Sequence, residues 1–465
     1  MVSRRPPHNQ GDTMIRSRRK RLAAITMAGI LLMAACGSDD DDSNDAAADD
    51  GGDGGGPDGG AYAVDTSDCP DDATEPIEGT IKIGTTLPLS GGAAAAAFAP
   101  VADGLQNYVD YANANDLVPG YEIELTIEDD QYNPNLTTPA VEKLIDETGV
   151  NLFSAMIGTP NNQAVRDLLN EECYPQLFAN SGAPTFGDVE TYPWTMGGLP
   201  PYNTETAIYV ENIAAEFPDG ATAAVFHVNS EFGDAYQEAF TGLAGDAAID
   251  IVEEQTIEAA DSNPPTSQVN AIAAAEPEVI LAVPLGAQCP AFLSELANAK
   301  AANPGWEPRV YLTSTCASTL LLGIAGAAAD GIYTIVAAKD ANDPANDSDP
   351  AVADYKAAMT DLGFSPDGDF ATAAAGWTSG ELTVEVLRAA AESEDGLTRA
   401  SILNAARALD YPFSLAREGV AFRTNGAEDA YGIESLQVVQ YDAATKTYTD
   451  IGELNTSFEG QTELP

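Results

Sequence analysis

From Thr80 onward the sequence alternates short apolar runs with longer stretches of helical periodicity. That alternation restricts the chain to sheets whose strands are joined by helices. Ile81-Lys82-Ile83-Gly84 reads as a strand, and residues 101–114 read as a helix with Leu105, Tyr108, Val109 and Ala112 on one face. Strands follow at 123–127, 152–157 and 176–179, with helices around 141–145 and from Pro160. Near Pro200-Pro201 the series restarts. Strands are expected at 223–228, 249–252, 278–283, 310–312 and 332–336, with helices at 234–243, 268–275 and 291–299 between them. Long helical patterns return at 352–362, 371–390 and 397–409, and strand-like runs close the chain at 420–422 and 436–441. The expected fold class is α/β, with two successive parallel sheets flanked by helices in one chain of 465 residues.

The N-terminal segment carries a separate signal. Arg16, Arg18, Arg19, Lys20 and Arg21 precede an apolar run of 14 residues, from Leu22 to Ala35. About 20 residues are needed to span roughly 30 Å of hydrocarbon, so this run reads as the core of a secretory signal. Met14 stands just before the unit and is a candidate start. Leu32-Met33-Ala34-Ala35-Cys36 resembles the lipobox of bacterial lipoproteins, which implies cleavage before Cys36 and acylation of that Cys. Residues 36–79, rich in Asp and Gly, are expected to form a disordered tether from the lipid bilayer to the folded body. The expected location is the outer face of the cell membrane or the periplasm.

Charge and cysteines agree with export. Without residues 1–36 the chain loses seven of 20 Lys and Arg and one of 73 Asp and Glu. The remaining 13 basic and 72 acidic side chains give a formal net charge of −59. Such a surface repels nucleic acid; one functional reading is attraction of a cationic ligand, and the plain reading is solubility. Four cysteines remain, Cys69, Cys173, Cys289 and Cys316, with three possible pairings. Cys69–Cys173 with Cys289–Cys316 is the expected one. A metal site is the alternative, against which stand the absence of any CxxC spacing and of a nearby His.

A binding site is suggested at Gly158-Thr159-Pro160, after the 152–157 strand. Thr159 suits a helix N-cap and Pro160 a first helical position. The helix start would then offer unpaired N–H groups to a polar acceptor at a strand end.

Several motifs occur in a telling order. They are Ile81-Lys82-Ile83-Gly84-Thr85-Thr86-Leu87-Pro88-Leu89-Ser90-Gly91, Glu128-Asp129-Asp130 before Asn133-Pro134, Glu231-Phe232-Gly233, and Ala329-Asp330-Gly331-Ile332. Together, across about residues 78–450, they resemble the type I periplasmic binding proteins of the branched-chain amino acid and amide class. The resemblance implies two Rossmann-like lobes joined by a three-crossing hinge, with lobe one at 80–200 plus 342–416 and lobe two at 201–341 plus 417–465. It implies a solute of the amino acid or amide class between the lobes, no cofactor and no catalysis. It also implies a membrane permease and ATPase subunits of an ABC transporter as partners.

Residue by residue, the resemblance assigns Thr159 to the ligand's carboxylate and Ser181-Gly182-Ala183 to further contacts. Phe98, Phe232 and Trp377 fall near the aromatic walls, and the loops bearing Phe232, Leu285 and Thr315 would close from lobe two. Where amino-acid binders of the family often place an acidic residue for the ammonium group, this sequence has Thr315. That departure puts a free α-amino acid in doubt and leaves an amide, another organic solute, or an amine held by a different carboxylate. Two other classes stay open. One is a ligand-sensing protein of the same fold that feeds a receptor. The other is an exported hydrolase, which would have to use His227, the one histidine after the signal segment, although no GxSxG motif occurs.

Overall fold

The computed structural model describes residues 62–461, so the signal segment, Cys36 and residues 36–61 of the expected tether lie outside the described residues. The first sheet is built from β1 (Thr80–Leu87), β2 (Glu122–Asp129), β3 (Leu152–Ser154), β4 (Gln176–Ala179) and β5 (Thr195–Gly197). These run parallel in the order β2-β1-β3-β4-β5. Three helices connect them: α1 (Gly92–Ala114), α2 (Pro134–Lys143) and α3 (Thr159–Glu171). Strand β3 shows why helices cover both faces. Successive strand residues point to opposite sides. Leu152 joins the main core with Ile81 and Tyr108, whereas its neighbour Phe153 packs with Val141, Leu144, Val165 and Leu169 of the α2–α3 side.

The chain then passes through α4 (Tyr202–Glu216) into a second series. Strands β6 (Ala221–Val228), β7 (Ile249–Ile257), β8 (Val279–Val283), β9 (Arg309–Leu312) and β10 (Tyr333–Val336) alternate with α5 (Glu231–Ala244), α6 (Thr266–Ala275), α7 (Gln288–Ala302) and α8 (Thr319–Ala325). Their order, β7-β6-β8-β9-β10, repeats that of the first sheet. In this doubly wound order the strand sequence reverses between β1 and β3, and again between β6 and β8. Ligands of open α/β sheets bind outside the carboxyl ends of the strands at such a switch point.

Helices α9 (Pro350–Asp361), α10 (Phe370–Ala391) and α11 (Arg399–Ala406) return to the first sheet. Backbones of α1 and α10 meet closely. A Cβ on Gly104 would lie 1.9 Å from the Ala373 carbonyl oxygen, and one on Gly376 would lie 2.0 Å from that of Val101. A short pair, β11 (Asp410–Tyr411) with β12 (Phe422–Arg423), precedes β13 (Gln437–Asp442) and β14 (Thr447–Asp450). Strand β13 adds antiparallel to β10, and β14 adds antiparallel to β13. The second sheet is therefore mixed, with an antiparallel edge where a parallel sheet was expected.

Three further expectations are corrected. Residues 62–79 are not free tether. Val64, Ala73 and Ile77 are buried, and the Ile77 amide donates to the Leu397 carbonyl at 2.8 Å. The Cys69–Cys173 bond ties this segment to the end of α3, and Cys289–Cys316 is the second disulfide. The return to the second sheet comes later than residue 417. Phe422 packs edge-on against Phe178 of β4 at 5.1 Å, and the Tyr431 hydroxyl donates to the Pro184 carbonyl at 2.7 Å. The passage to β13 thus lies near Ile433–Leu436. The helix expected at 141–145 is the end of α2 and the start of a π-helical turn (Leu144–Thr148), and the start of α2 is set by Pro134 at its first turn and by Asn133, whose side chain caps it. Among the described residues no helix is long and apolar enough to cross a membrane.

Candidate functional site

A cavity of about 290 Å³ lies between the two sheets. The loops that follow β3, β6, β8 and β9 all reach it, as the two facing switch points require. Its walls are mostly apolar. Phe98, Val101 and Ile157 line it from the first sheet's side, and Phe232 and Leu285 line it from the second. Residues 198–200, 335–340 and Ile433 with Leu436, the three chain crossings, form its back. The second crossing is tied to the 415–417 segment, since Lys339 N–H donates to Leu415 O at 2.8 Å and Arg417 N–H donates to Ala337 O at 3.0 Å.

Across the gap, the Ala287 amide of the loop after β8 donates to the Ala93 carbonyl of α1 at 3.1 Å. Gly286 makes this approach feasible. It has φ +55°, and a Cβ there would lie 2.5 Å from the Ala93 oxygen.

Thr159 lines the cavity, but it is not the cap of α3. Gly158, with φ 106°, precedes the helix, and Thr159 is its first residue. Its hydroxyl instead pairs with the Ser181 hydroxyl at 2.7 Å, both residues being buried. Ser181 in turn accepts from the Ala183 amide at 3.2 Å. Ser181, Gly182 and Ala183 therefore support the wall from behind. Gly182 is there for packing. A Cβ would lie 2.0 Å from the Pro200 oxygen and 2.7 Å from the Tyr202 ring, and the Tyr202 amide donates to its carbonyl at 2.7 Å.

Tyr202, at the first crossing, was not singled out by the sequence reading. Its ring lines the cavity, and burial pushes its phenol up to about 12, against the opposing hydrogen bonds of the Gly182 amide and the Ser181 and Thr159 hydroxyls. Thr159 and Tyr202 thus bring two hydroxyls to the cavity wall, with the Ser181 hydroxyl and the Gly182 amide behind them. These groups suit an acceptor such as a carboxylate or amide oxygen.

Phe232 and Tyr202 meet edge to face at 5.5 Å, and Phe232 meets Tyr236 at 5.7 Å. Behind them Glu205 is fully buried. Its carboxylate binds the Tyr236 hydroxyl at 2.9 Å, the Ser314 hydroxyl at 2.6 Å and the Ser314 amide at 2.9 Å, and burial raises its pKa. Glu205 thereby fixes the loop carrying Ser314 and Thr315, both of which line the cavity. The Cys289–Cys316 bond ties the same loop to the start of α7.

Trp377 is elsewhere. It packs on Tyr108 at 4.8 Å, Tyr355 at 5.3 Å and Tyr111 at 5.5 Å, in the layer between α1, α9 and α10. The next residues on α10, Thr378 and Ser379, line the cavity instead. Other lining residues missed by the sequence reading are Tyr132, Asn180 and Asp340. Tyr132 follows Gln131 in a turn where both have positive φ, 54° and 56°. His227 lies outside the cavity lining. Its ring faces Val228 O at 3.2 Å and Glu254 at 3.4 Å, so no serine partners it. Among the described residues no group of His, Cys, Asp and Glu is arranged to hold a metal.

A family model described as periplasmic binding protein matches residues 80–446. The fold is similar to a branched-chain amino acid ABC transporter structure from Thermus thermophilus with bound valine. Identity is 20%, the TM-score is 0.72, and the match covers 82% of this chain and 97% of that one. It is also similar to a fatty acid ABC transporter substrate-binding protein from Thermomonospora curvata, at 18% identity and TM-score 0.67, covering 82% and 95%. A solute-binding protein of an ABC transporter from Rhodopseudomonas palustris BisB5, in complex with 3,4-dihydroxybenzoic acid, matches at 17% identity and TM-score 0.66, covering 81% and 96%. A search of the curated proteins finds no significant match.

Proposed function

The chain belongs to the periplasmic binding protein family, and from that premise we propose that it captures a small organic solute in the cavity between its lobes and delivers it to an ABC permease. Members of this family bind solutes without turning them over. The observation that carries the reading is the cavity itself, walled by two switch points that face each other across a bonded gap. The lobes are residues 62–200 with 342–432, and 201–341 with 437–461.

The solute is an organic acid or amide with an apolar body. Its acceptor oxygens meet Thr159 and Tyr202, and its body meets Phe98, Phe232 and Leu285. Valine and 3,4-dihydroxybenzoic acid, bound in two of the similar structures, both join a carboxyl group to an apolar frame. Thr315 closes from the second lobe. Export, cleavage before Cys36 and acylation there hold the protein at the outer face of the cell membrane, where a permease receives the loaded form and partner ATPase subunits drive transport.

A thermal-shift screen over amino acids, amides, short fatty acids, hydroxybenzoates and polyamines tests the reading. A true ligand at 100 times its Kd adds about 2.7 kcal/mol of apparent stability. The same ligand should reduce the radius of gyration in solution scattering as the lobes close. A screen in which no solute stabilises the protein would remove the assignment.

A further inference from the structure

We propose that Asp340 receives a cationic nitrogen of the bound solute, so that the cavity selects an amine-bearing molecule. This deepens the solute-binding reading above and rests on it. Among the described residues that line the cavity, Asp340 is the one carboxylate and Lys339 the one base. Lys339 is already engaged, its ammonium lying 2.7 Å from Asp349 Oδ2. Asp340 belongs to none of the ion pairs among the described residues.

The Asp340 carboxylate is held firmly in place. Thr319 N–H donates to Oδ2 at 2.7 Å, and Asn342 N–H donates to Oδ1 at 2.6 Å. A carboxylate offers about four lone-pair sites, so about half of its accepting capacity is left over. Its surroundings add no positive charge. The titratable groups that interact with it are Asp369, of the same sign, and the phenols of Tyr355, Tyr441 and Tyr448. Asp369 is joined to it through Asn342, whose side-chain amide donates to Asp369 Oδ1 at 2.8 Å. Burial raises the Asp340 carboxyl to about 6, as expected for a carboxylate without a counter-ion.

A half-buried charge without a counter-ion is costly until a partner arrives. A ligand ammonium would supply charge-assisted hydrogen bonds to the free lone pairs. Ser318 and Thr372 also line the cavity, and their hydroxyls donate to Asp369. The uncharged Thr315 of the second lobe and the charged Asp340 of the crossing then have one explanation. The cation is held at the hinge and not at the closing loop.

Calorimetry on the full chain with three probes of one carbon skeleton tests this: leucine, 4-methylpentanoate and 3-methylbutylamine. Phenylalanine, 3-phenylpropanoate and phenethylamine repeat the test for a larger body. Within at least one set, the amino acid should bind at least tenfold more tightly than its deaminated acid. Asp340→Asn should abolish that preference while leaving the affinity of the acid unchanged or improved. The wild-type comparison needs no variant, and the melting temperature of unliganded Asp340→Asn reports whether it folds. Deaminated acids that bind as tightly as the amino acids, or a preference that survives in Asp340→Asn, would overturn the assignment. Silence from all six probes also overturns an apolar amine as the ligand. Solute capture itself stands or falls with the broader thermal screen, so the two failures are distinguishable.

Discussion

Removing the Cys289–Cys316 bond should cost both stability and affinity, because it joins two loops that face the ligand. The bond closes a loop across a sequence separation of 27. In the chain-entropy relation, a loop of about 28 residues corresponds to about 12 cal/mol/K, or about 3.6 kcal/mol at 25 °C. The other disulfide spans a separation of 104, for which the same relation gives about 4.8 kcal/mol. Both cysteines of the shorter loop are fully buried, so replacement of each by Ala is the mild perturbation. Urea unfolding followed by circular dichroism is the assay. With an m-value of about 3 kcal/mol/M, the midpoint should fall by about 1.2 M. Leu285 and Thr315, which line the cavity on either side of the bond, lose their common anchor. Calorimetric affinity for the strongest ligand should therefore drop about threefold or more. The Cys69/Cys173 double Ala variant should lose more stability and keep its affinity, since neither of its ends lines the cavity. A midpoint shift worth less than about 1 kcal/mol for the 289/316 pair, or equal affinity loss in both variants, would refute this reasoning.

Other outcomes follow from single groups. Thr159→Ala removes a cavity hydroxyl and its bond to Ser181, and should weaken binding of a carboxylate ligand about tenfold or more by calorimetry with little change in melting temperature. Gly182→Val should destabilise the unliganded protein by about 2 kcal/mol or more in urea, because its side chain meets the Pro200 carbonyl and the Tyr202 ring. Trp377→Ala should cost about 3–5 kcal/mol of stability while leaving calorimetric affinity within about twofold. Burial raises Glu434 to about 8 and Asp429 to about 6, so the folded state holds protons that the unfolded chain releases near pH 4. Their contribution is complete below about pH 4 and is lost as pH rises through 6 and 8. The melting temperature should therefore fall between pH 5 and 9, and Glu434→Gln should flatten that slope.

The parts of this architecture that sequence pattern reveals are those with a period. Strands β1, β3, β4, β6 and β8 are buried apolar runs bounded by turn residues. Thr159, at the helix start that follows a strand, is reached by that pattern, whereas Phe98, Phe232, Leu285 and Thr315 rest on the family resemblance. The crossings have no period. Tyr202, Asp340 and Ile433 sit on or next to them and could not be separated from ordinary connecting residues. Trp377 was set at the wall by the resemblance alone, and α10, buried on nearly all sides, offers no pattern to check it. A helix apolar all round gives no phase by which to tell the face toward α1 from the face toward the cavity. Tyr132 depends on two consecutive left-handed residues, a backbone choice that its side chains do not announce. Tyr62, Val64 and Ile77 are too sparse in an acidic, glycine-rich stretch to outweigh its composition, yet they and a disulfide attach it.

The close backbone contact of α1 with α10, through Gly104 and Gly376, also governs how a signal leaves the cavity. Two helices locked at that spacing cannot slide or tilt without collision, so this half of the molecule behaves as a stiff block. An occupant that draws the two halves together would then bend the three thin straps at the back. A few degrees of twist in those straps then becomes a large displacement at the far rim, where a transporter would feel it.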